Sequence, residues 1–223
     1  MLYPIELRAR VSIIAVVTAG SPRYPCRVAQ LIEIEVKIAV NSAARIRAIV
    51  RKAGFWVASP RAFEQNLVLD DAAGSLKAKG LLLRVRTTGK RDAGQSPLCT
   101  FKGPAKETRT HHKQREEREF SASSAEECLA VLAGVGFRPA FRYEKFRTVY
   151  SRRARKGVMG NGLVVLDETP IGVFVELEGP ATWIDRTAKE LGFSRIDYIT
   201  KSYARLWEQW CAEHELAVGD MVF

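Results

Sequence analysis

Polar and apolar side chains alternate along residues 31–40, LIEIEVKIAV. In an extended chain successive side chains point to opposite faces, so Glu33, Glu35 and Lys37 share one face and the β-branched residues between them share the other. The pattern predicts a β-strand with one charged face. Considered alone, such a face is typical of a strand that lies in water and forms ion pairs with its neighbours.

The same period recurs in later segments that are bounded by turn-forming residues. These further predicted strands are residues 61–71, 81–89, 97–104, 113–120, 141–152, 163–170 and 173–179. Capping residues and a helical period predict helices over 42–54, 123–136, 181–193 and 202–214. Because short turns join most of the strands, we expect an α+β fold in which an antiparallel sheet of about eight strands dominates.

Charged faces are found on most of these strands. Outside 113–120, they carry Glu33, Glu35, Lys37, Arg84, Arg86, Lys102, Lys145, Arg147, Asp167, Glu176 and Glu178. In 113–120 both faces are largely charged, so the period alone does not choose between Arg115, Glu117 and Glu119 on one side and Glu116 and Arg118 on the other. A sheet curled into a barrel would point such groups inward, with the apolar faces covered by helices.

An interior lined by charges requires compensation, because desolvated charges cost several kcal/mol each unless they are paired. Arginine and lysine bind phosphate oxygens. Carboxylates two residues apart on a strand can hold a hard cation such as Mg²⁺ or Mn²⁺, which bridges to phosphates. A small polyphosphate with its bound metal would satisfy both kinds of group.

Composition narrows the class of partner. The chain of 223 residues has 35 basic and 25 acidic residues, for a net charge of +10, which favours a polyanionic partner. We do not expect nucleic acid, because the paired carboxylates would repel its backbone and basic runs interleaved with aromatic residues are missing from the sequence. The four cysteines lie far apart and there are three histidines, so neither a zinc site nor a disulfide framework is expected. Reduced cysteines are typical of a cytoplasmic protein, and no apolar run reaches the length of a transmembrane helix.

The ends of the chain differ from its centre. Residues 1–29 include the proline-containing SPRYPCR, which cannot form one regular element, and we expect them to be a poorly ordered extension. Residues 30–215 form the predicted domain, and 216–223 a C-terminal tail. Tyr203, at the start of the last helix, could reach a tunnel mouth or lie on the helix surface. His111 and His112 fall in a polar loop, outside the expected chemistry.

Six segments in order resemble the motifs of the CYTH superfamily, the triphosphate tunnel enzymes. Glu33, Glu35 and Lys37 match its Glu-x-Glu-x-Lys signature. The later matches are LLLRVR, TFKGP, REEREF, YEKFR and VVLDETPIGVFVELEG, and the resemblance covers about residues 31–210. One such motif is weak evidence, whereas six in the right order are specific. The extension before residue 30 departs from the family pattern, in which the first motif lies at the extreme N-terminus.

The resemblance implies an eight-stranded antiparallel β-barrel, the triphosphate tunnel, with flanking helices. It implies that the triphosphate is bound by Lys37, Arg84, Arg86, Lys102, Arg115, Lys145 and Arg147. It implies that Mg²⁺ or Mn²⁺ is held by Glu33, Glu35, Asp167, Glu176 and Glu178. Glu117 and Glu119 would complete the lining, which places Arg115 on the inner face, and Glu33, Glu35 and Lys37 would be the catalytic group.

Three functions follow as hypotheses. The first is a class IV adenylate cyclase, which converts ATP to cyclic AMP and pyrophosphate. The alternative is a triphosphatase that hydrolyses an inorganic or organic triphosphate such as thiamine triphosphate, a nucleoside triphosphate or tripolyphosphate. The second alternative is a polyphosphate-binding or nucleotide-binding module without catalysis. Family members are often dimers, so a homodimer is a further expectation.

Overall fold

A computed structural model describes residues 14–16, 30–89, 97–109, 111–152 and 162–223. Its strands are β1 (Ile14–Val16), β2 (Gln30–Val40), β3 (Trp56–Asp70), β4 (Leu82–Thr88), β5 (Leu98–Lys102), β6 (Lys106–Glu107), β7 (Lys113–Ser121), β8 (Arg138–Ser151), β9 (Leu163–Thr169) and β10 (Gly172–Glu178). Its α-helices are α1 (Ala43–Lys52), α2 (Ser75–Ala78), α3 (Ala125–Gly134), α4 (Ala181–Glu190) and α5 (Tyr203–Glu213). A 3₁₀ turn spans Arg195–Asp197.

Eight of the strands close into an antiparallel barrel in the order β2-β10-β9-β8-β3-β4-β5-β7. The ring closes where β7 pairs with β2, with Arg115 opposite Glu33 and Lys113 opposite Glu35. The short strands β1 and β6 add to β2 and β7 outside this ring. The predicted eight-stranded antiparallel β-barrel with flanking helices is therefore confirmed.

Apolar residues of the barrel face outward, against helices. Helices α1 and α4 cover β2, β9 and β10, where Val36, Leu166 and Val175 are fully or almost fully buried. Helix α3 covers Val85 of β4 in the same way. At about 25 cal/mol per Å² of apolar area removed from water, this outer layer supplies much of the driving force for folding. It also leaves the opposite, charged face of each strand to line the interior.

One end of the barrel is closed by an apolar cluster. Tyr203 of α5 and Met221 of the C-terminal segment pack there against the inward-facing Tyr143 and Phe174. Met221 is fully buried, and its backbone bonds to Arg142 and Glu144 along β8. Helix α5 is fixed in turn, since the chain just before it bonds to the backbone of Lys37 on β2.

Local signals explain most of the element boundaries. Ser42, Ser124 and Ser202 cap α1, α3 and α5 by accepting hydrogen bonds from backbone N–H groups in the first turn. Gly54, with φ of +82°, follows α1 in the left-handed conformation that glycine adopts without strain. Strand β3 begins earlier than its sequence pattern predicts, because irregular register between Val57 and Ala62 carries the strand past a proline.

The N-terminal end of the chain is only partly described. The expectation of a poorly ordered extension over residues 1–29 lies outside the described residues, except for Ile14–Val16, which pair with β2. None of the described helices combines the length and the apolar character needed to cross a membrane.

Candidate active site

Three carboxylates meet at one place in the barrel wall. Glu33 and Glu35 project from β2, and Glu178 projects from the neighbouring β10, where it is paired in register with Glu35. Their nearest oxygens all lie within 4.8 Å of one another. Alternation along two adjacent strands places all three on the inner face, so the site follows directly from the period of two.

The protonation behaviour of this acidic cluster reflects crowding of like charge. Burial, with further repulsion from Glu33, Glu176 and Glu35, raises the pKa of Glu178 to about 8. Burial also raises the pKa of Glu33. Burial would raise the pKa of Glu35 as well, but the ammonium groups of Lys113 and Lys37 hold it well below its ordinary value. A divalent cation would relieve this repulsion, and carboxylate oxygens are the ligands that Mg²⁺ and Mn²⁺ prefer, so the three residues fit a metal.

Two lysines neutralise the acidic cluster in this structure. Lys102 of β5 donates to Glu33 and lies 3.1 Å from Glu117. Lys113 of β7 donates to Glu35 at 2.6 Å. These ammonium groups balance part of the negative charge of the acidic cluster.

Asp167 and Glu176, which the family resemblance implied as metal ligands, belong to a different network. Asp167 is fully buried and accepts hydrogen bonds from Lys145 Nζ at 2.8 Å, from Arg147 Nε at 2.8 Å and Nη2 at 2.6 Å, and from Tyr203 Oη at 2.8 Å. Glu176 accepts from Lys37 Nζ at 2.6 Å and from Arg147. Among the described residues, the cluster that could hold a metal contains neither of them.

The cations predicted to bind phosphate differ in how firmly the protein already holds them. Lys37, Lys102, Lys145 and Arg147 each donate to a carboxylate. Arg84 instead donates to Tyr143 Oη at 3.0 Å and Thr100 Oγ1 at 3.2 Å. Arg86 approaches Glu64 at 3.7 Å and Glu119 at 3.9 Å, beyond hydrogen-bond distance. Arg84 and Arg86 are thus the cations that a phosphate would engage without first displacing a hydrogen-bonded carboxylate.

Arg115 faces inward but is committed to the rim of the barrel. Its Nε donates to the carbonyl of Gly103 at 2.7 Å and its Nη2 to the carbonyl of Gly80 at 2.9 Å. The structure therefore places Arg115 on the predicted face, but its Nε and Nη2 already donate hydrogen bonds to backbone carbonyl groups. Glu117 is buried beside Lys102, whereas the Glu119 side chain is 34 % exposed and accepts from Thr100 at 2.8 Å.

Several residues of the inner wall were not predicted from the sequence. Glu64 and Asn66 lie in a segment that was predicted as a strand, but its faces were not assigned. Lys113 begins a strand with charges on both sides, and its pairing depends on where β7 meets β2. Tyr203, for which the sequence left two positions open, lies inside, with its ring 4.6 Å from Lys37 Nζ. His112 is buried against Asp185 of α4, away from the acidic cluster.

A family model, the CYTH domain, matches residues 31–203. The chain belongs to the CYTH family. The CYTH fold recurs in solved structures: a protein of Vibrio parahaemolyticus, named provisionally as an adenylate cyclase, has a TM-score of 0.66 and 16% identity over 79% of this chain and 98% of its own. A Pyrococcus horikoshii protein has a TM-score of 0.62 and 23% identity over 80% and 99%.

A third CYTH-like structure comes from Hippeastrum and has a TM-score of 0.55 with 19% identity over 83% of this chain and 97% of its own. That protein is named provisionally as an adenylyl cyclase and described as having a dominant triphosphatase activity. At these identities the neighbours establish the fold alone. A search of curated protein sequences gave no significant match.

Proposed function

We propose that this CYTH domain is a metal-dependent enzyme that transfers a phosphoryl or nucleotidyl group from a triphosphate bound inside the barrel. The observation that carries the proposal is the arrangement of Glu33, Glu35 and Glu178, a crowded carboxylate cluster, in the same closed wall as a row of inward-facing cations. Phosphoryl transfer requires positioning and charge neutralisation more than covalent chemistry, and this wall offers both.

In the proposed reaction Glu33, Glu35 and Glu178 would hold Mg²⁺ or Mn²⁺, which when bound supplies Lewis-acid neutralisation of phosphate charge. Arg84 and Arg86 bind phosphate oxygens first, because neither is hydrogen-bonded to a carboxylate among the described residues. The lysines then exchange carboxylate oxygens for phosphate oxygens, a replacement of one charge-assisted hydrogen bond by another.

Within this class we propose adenylate cyclase activity first. The ribose 3′-hydroxyl would attack the α-phosphorus, and pyrophosphate would leave. Hydrolysis is the second candidate, and the dominant triphosphatase activity described for the Hippeastrum neighbour favours it. In hydrolysis water would attack the terminal phosphorus, the bond from that phosphorus to its bridging oxygen would break, and the diphosphate would leave as inorganic phosphate forms. The inner wall can serve both reactions, since they differ in the nucleophile and in the phosphorus attacked.

Product analysis distinguishes these reactions. The purified protein is incubated with ATP and with tripolyphosphate, each with Mg²⁺, with Mn²⁺ and with EDTA, and the products are separated by ion-exchange chromatography. Cyclic AMP with pyrophosphate supports the cyclase, whereas phosphate release with no cyclic AMP supports the triphosphatase. Tight binding of ATP or tripolyphosphate without turnover would instead support a binding module without catalysis.

Two variants identify the site of the activity. Glu33→Gln removes a carboxylate of the acidic cluster and should abolish metal-dependent turnover. Glu168→Gln is the matched control, since Glu168, like Glu33, is an ion-paired glutamate, but its partners are Arg47 and Arg61 on the outer face of the barrel. Equal loss of activity in both variants, or full activity in Glu33→Gln, would contradict the assignment.

A further inference from the structure

Strand β3 contributes two polar side chains to the inner wall that the proposed chemistry does not use. Glu64 and Asn66 are two residues apart and share the inner face, and we call them the β3 pair. Glu64 is 6% exposed and Asn66 is fully buried. Strand register places Glu64 opposite Lys145, and Asn66 between Tyr143 on β8 and Arg86 on β4.

Glu64 lies among cations without bonding to any of them. Its oxygens are 3.7 Å from Arg86, 3.7 Å from Lys145 and 3.9 Å from Arg147, all beyond hydrogen-bond distance. Within the described part of the chain, Glu64 Oε2 has no hydrogen-bond partner. Burial disfavours ionisation, but Lys145, Arg147 and Arg86 lower the pKa of Glu64 to about 2, so the group is a carboxylate at neutral pH.

Asn66 has the same shortage of partners. Neither its amide oxygen nor its amide nitrogen bonds to any residue that the structure describes. Buried polar groups are nearly always hydrogen-bonded, and unmet ones are costly, so two such side chains in adjacent inward positions indicate a place where a ligand supplies the missing bonds.

The chemistry of that ligand follows from the charge of Glu64. A phosphate oxygen placed against the carboxylate would bring two anions together in a poorly solvated interior, where like-charge contact is strongly unfavourable. A hydroxyl or amino group would instead donate to Glu64 Oε2. Beside it, Asn66 can both donate and accept. The β3 pair is thus suited to a neutral group with several hydrogen-bonding atoms.

We propose that Glu64 and Asn66 bind the organic part of the substrate, so that the enzyme prefers an organic triphosphate to inorganic tripolyphosphate. This inference rests on the proposed function and refines its substrate class. The alternative is that Glu64 is only a counter-ion for Arg86 and Lys145, with no part in selecting the ligand.

Calorimetric binding of ATP and tripolyphosphate in EDTA tests the proposal without turnover. Although fully ionised ATP carries one negative charge fewer than fully ionised tripolyphosphate, the wild-type protein should bind ATP at least as tightly. Glu64→Gln should shift the ratio of the two dissociation constants toward tripolyphosphate by about tenfold, the scale expected for one charge-assisted hydrogen bond. Asn66→Ala should weaken the binding of ATP and leave the binding of tripolyphosphate unchanged. Glu168→Gln, the outer-face control, should leave the ratio unchanged.

The outcomes separate this inference from the function on which it rests. If the wild type binds neither probe in EDTA or with Mg²⁺, the triphosphate site itself is wrong. If it binds both but the ratio in Glu64→Gln is that of the wild type, the β3 pair is a structural counter-ion and the inference fails alone. Should Glu64→Gln not fold, the wild-type comparison still decides, since a clear preference for tripolyphosphate over ATP overturns the proposal.

Discussion

Replacing Asp167 by asparagine tests whether this residue holds the barrel together or binds metal. The carboxylate is fully buried and accepts four hydrogen bonds, three of them from the charged groups of Lys145 and Arg147 and one from Tyr203. The asparagine side chain would keep one oxygen for the tyrosine hydroxyl. It would lack the negative charge that compensates two buried cations.

The magnitude follows from these contacts. Removing one partner of a buried ion pair typically costs about 3–5 kcal/mol, because the remaining charge is left uncompensated. The loss should lie near the lower limit, about 3 kcal/mol, since Glu176 still contacts Arg147 and Glu64 still lies 3.7 Å from Lys145. In a domain of this size about 1 kcal/mol shifts Tm by roughly 2–4 °C. We therefore expect Tm to fall by about 6–12 °C.

Two assays separate the roles. Urea unfolding of the metal-free proteins measures the free energy of unfolding, and calorimetric titration with Mn²⁺ measures the affinity of the acidic cluster for the metal. Asp167→Asn should lose stability and retain most of its Mn²⁺ affinity. Glu178→Gln should do the reverse, because Glu178 is a member of the cluster. An Asp167→Asn protein with wild-type stability and no Mn²⁺ binding would refute this reasoning and restore Asp167 as a metal ligand.

Three further predictions concern neighbouring groups. Lys113→Met should raise Mn²⁺ affinity by about 3–10-fold in calorimetry, because Glu35 loses its hydrogen bond from the ammonium group and the cluster becomes more negative. Unchanged or weaker Mn²⁺ binding would contradict this. Tyr203→Phe should lose about 1–2 kcal/mol in urea unfolding through the hydrogen bond to Asp167, and Tyr203→Leu should lose more because the ring against Lys37 and Lys145 is also removed; equal losses would contradict a role for the ring. Metal-free stability should also depend on Glu178: its folded pKa of about 8 lies above the usual value of 4.5, so the stability it contributes is present at low pH and is lost as pH rises through about 8. Wild type should lose about 2–3 kcal/mol relative to Glu178→Gln between pH 6 and pH 9, and a constant difference would show that the carboxylate is not perturbed.

The period of two predicted most of the inner wall. In a barrel the side-chain alternation of each strand is locked to the inside and outside, so Glu33, Glu35, Arg84 and Glu178 could be placed without any tertiary information. The doubly charged strand 113–120 could not be resolved in this way. Its pairing with β2 and β5, which sets Arg115 opposite Glu33, places Arg115 and Glu117 inside.

The sequence did not predict which charged side chains of the inner wall bond to one another. Asp167 and Glu178 lie on adjacent strands and face the same interior. Asp167 accepts hydrogen bonds from Lys145, Arg147 and Tyr203, whereas Glu178 belongs to the acidic cluster. The difference arises from the stagger of the strands, which sets Phe174 rather than Glu178 opposite Asp167. Tyr203 arrives from a helix far along the chain, a contact that no local pattern encodes.

Charge balance within the barrel changes the meaning of the net charge of +10. Among the residues that the structure describes, the inner wall carries as many formally positive as formally negative side chains once the residues not predicted from the sequence are included. The cations are Lys37, Arg84, Arg86, Lys102, Lys113, Arg115, Lys145 and Arg147, and the carboxylates are Glu33, Glu35, Glu64, Glu117, Glu119, Asp167, Glu176 and Glu178. The net charge of +10 therefore does not come from the described lining; an excess of positive charge attracts anions in general but does not select one. A wall whose formal charges balance is least disturbed by a ligand whose own charges nearly cancel, so the triphosphate is expected to bind more tightly together with divalent cations than without them.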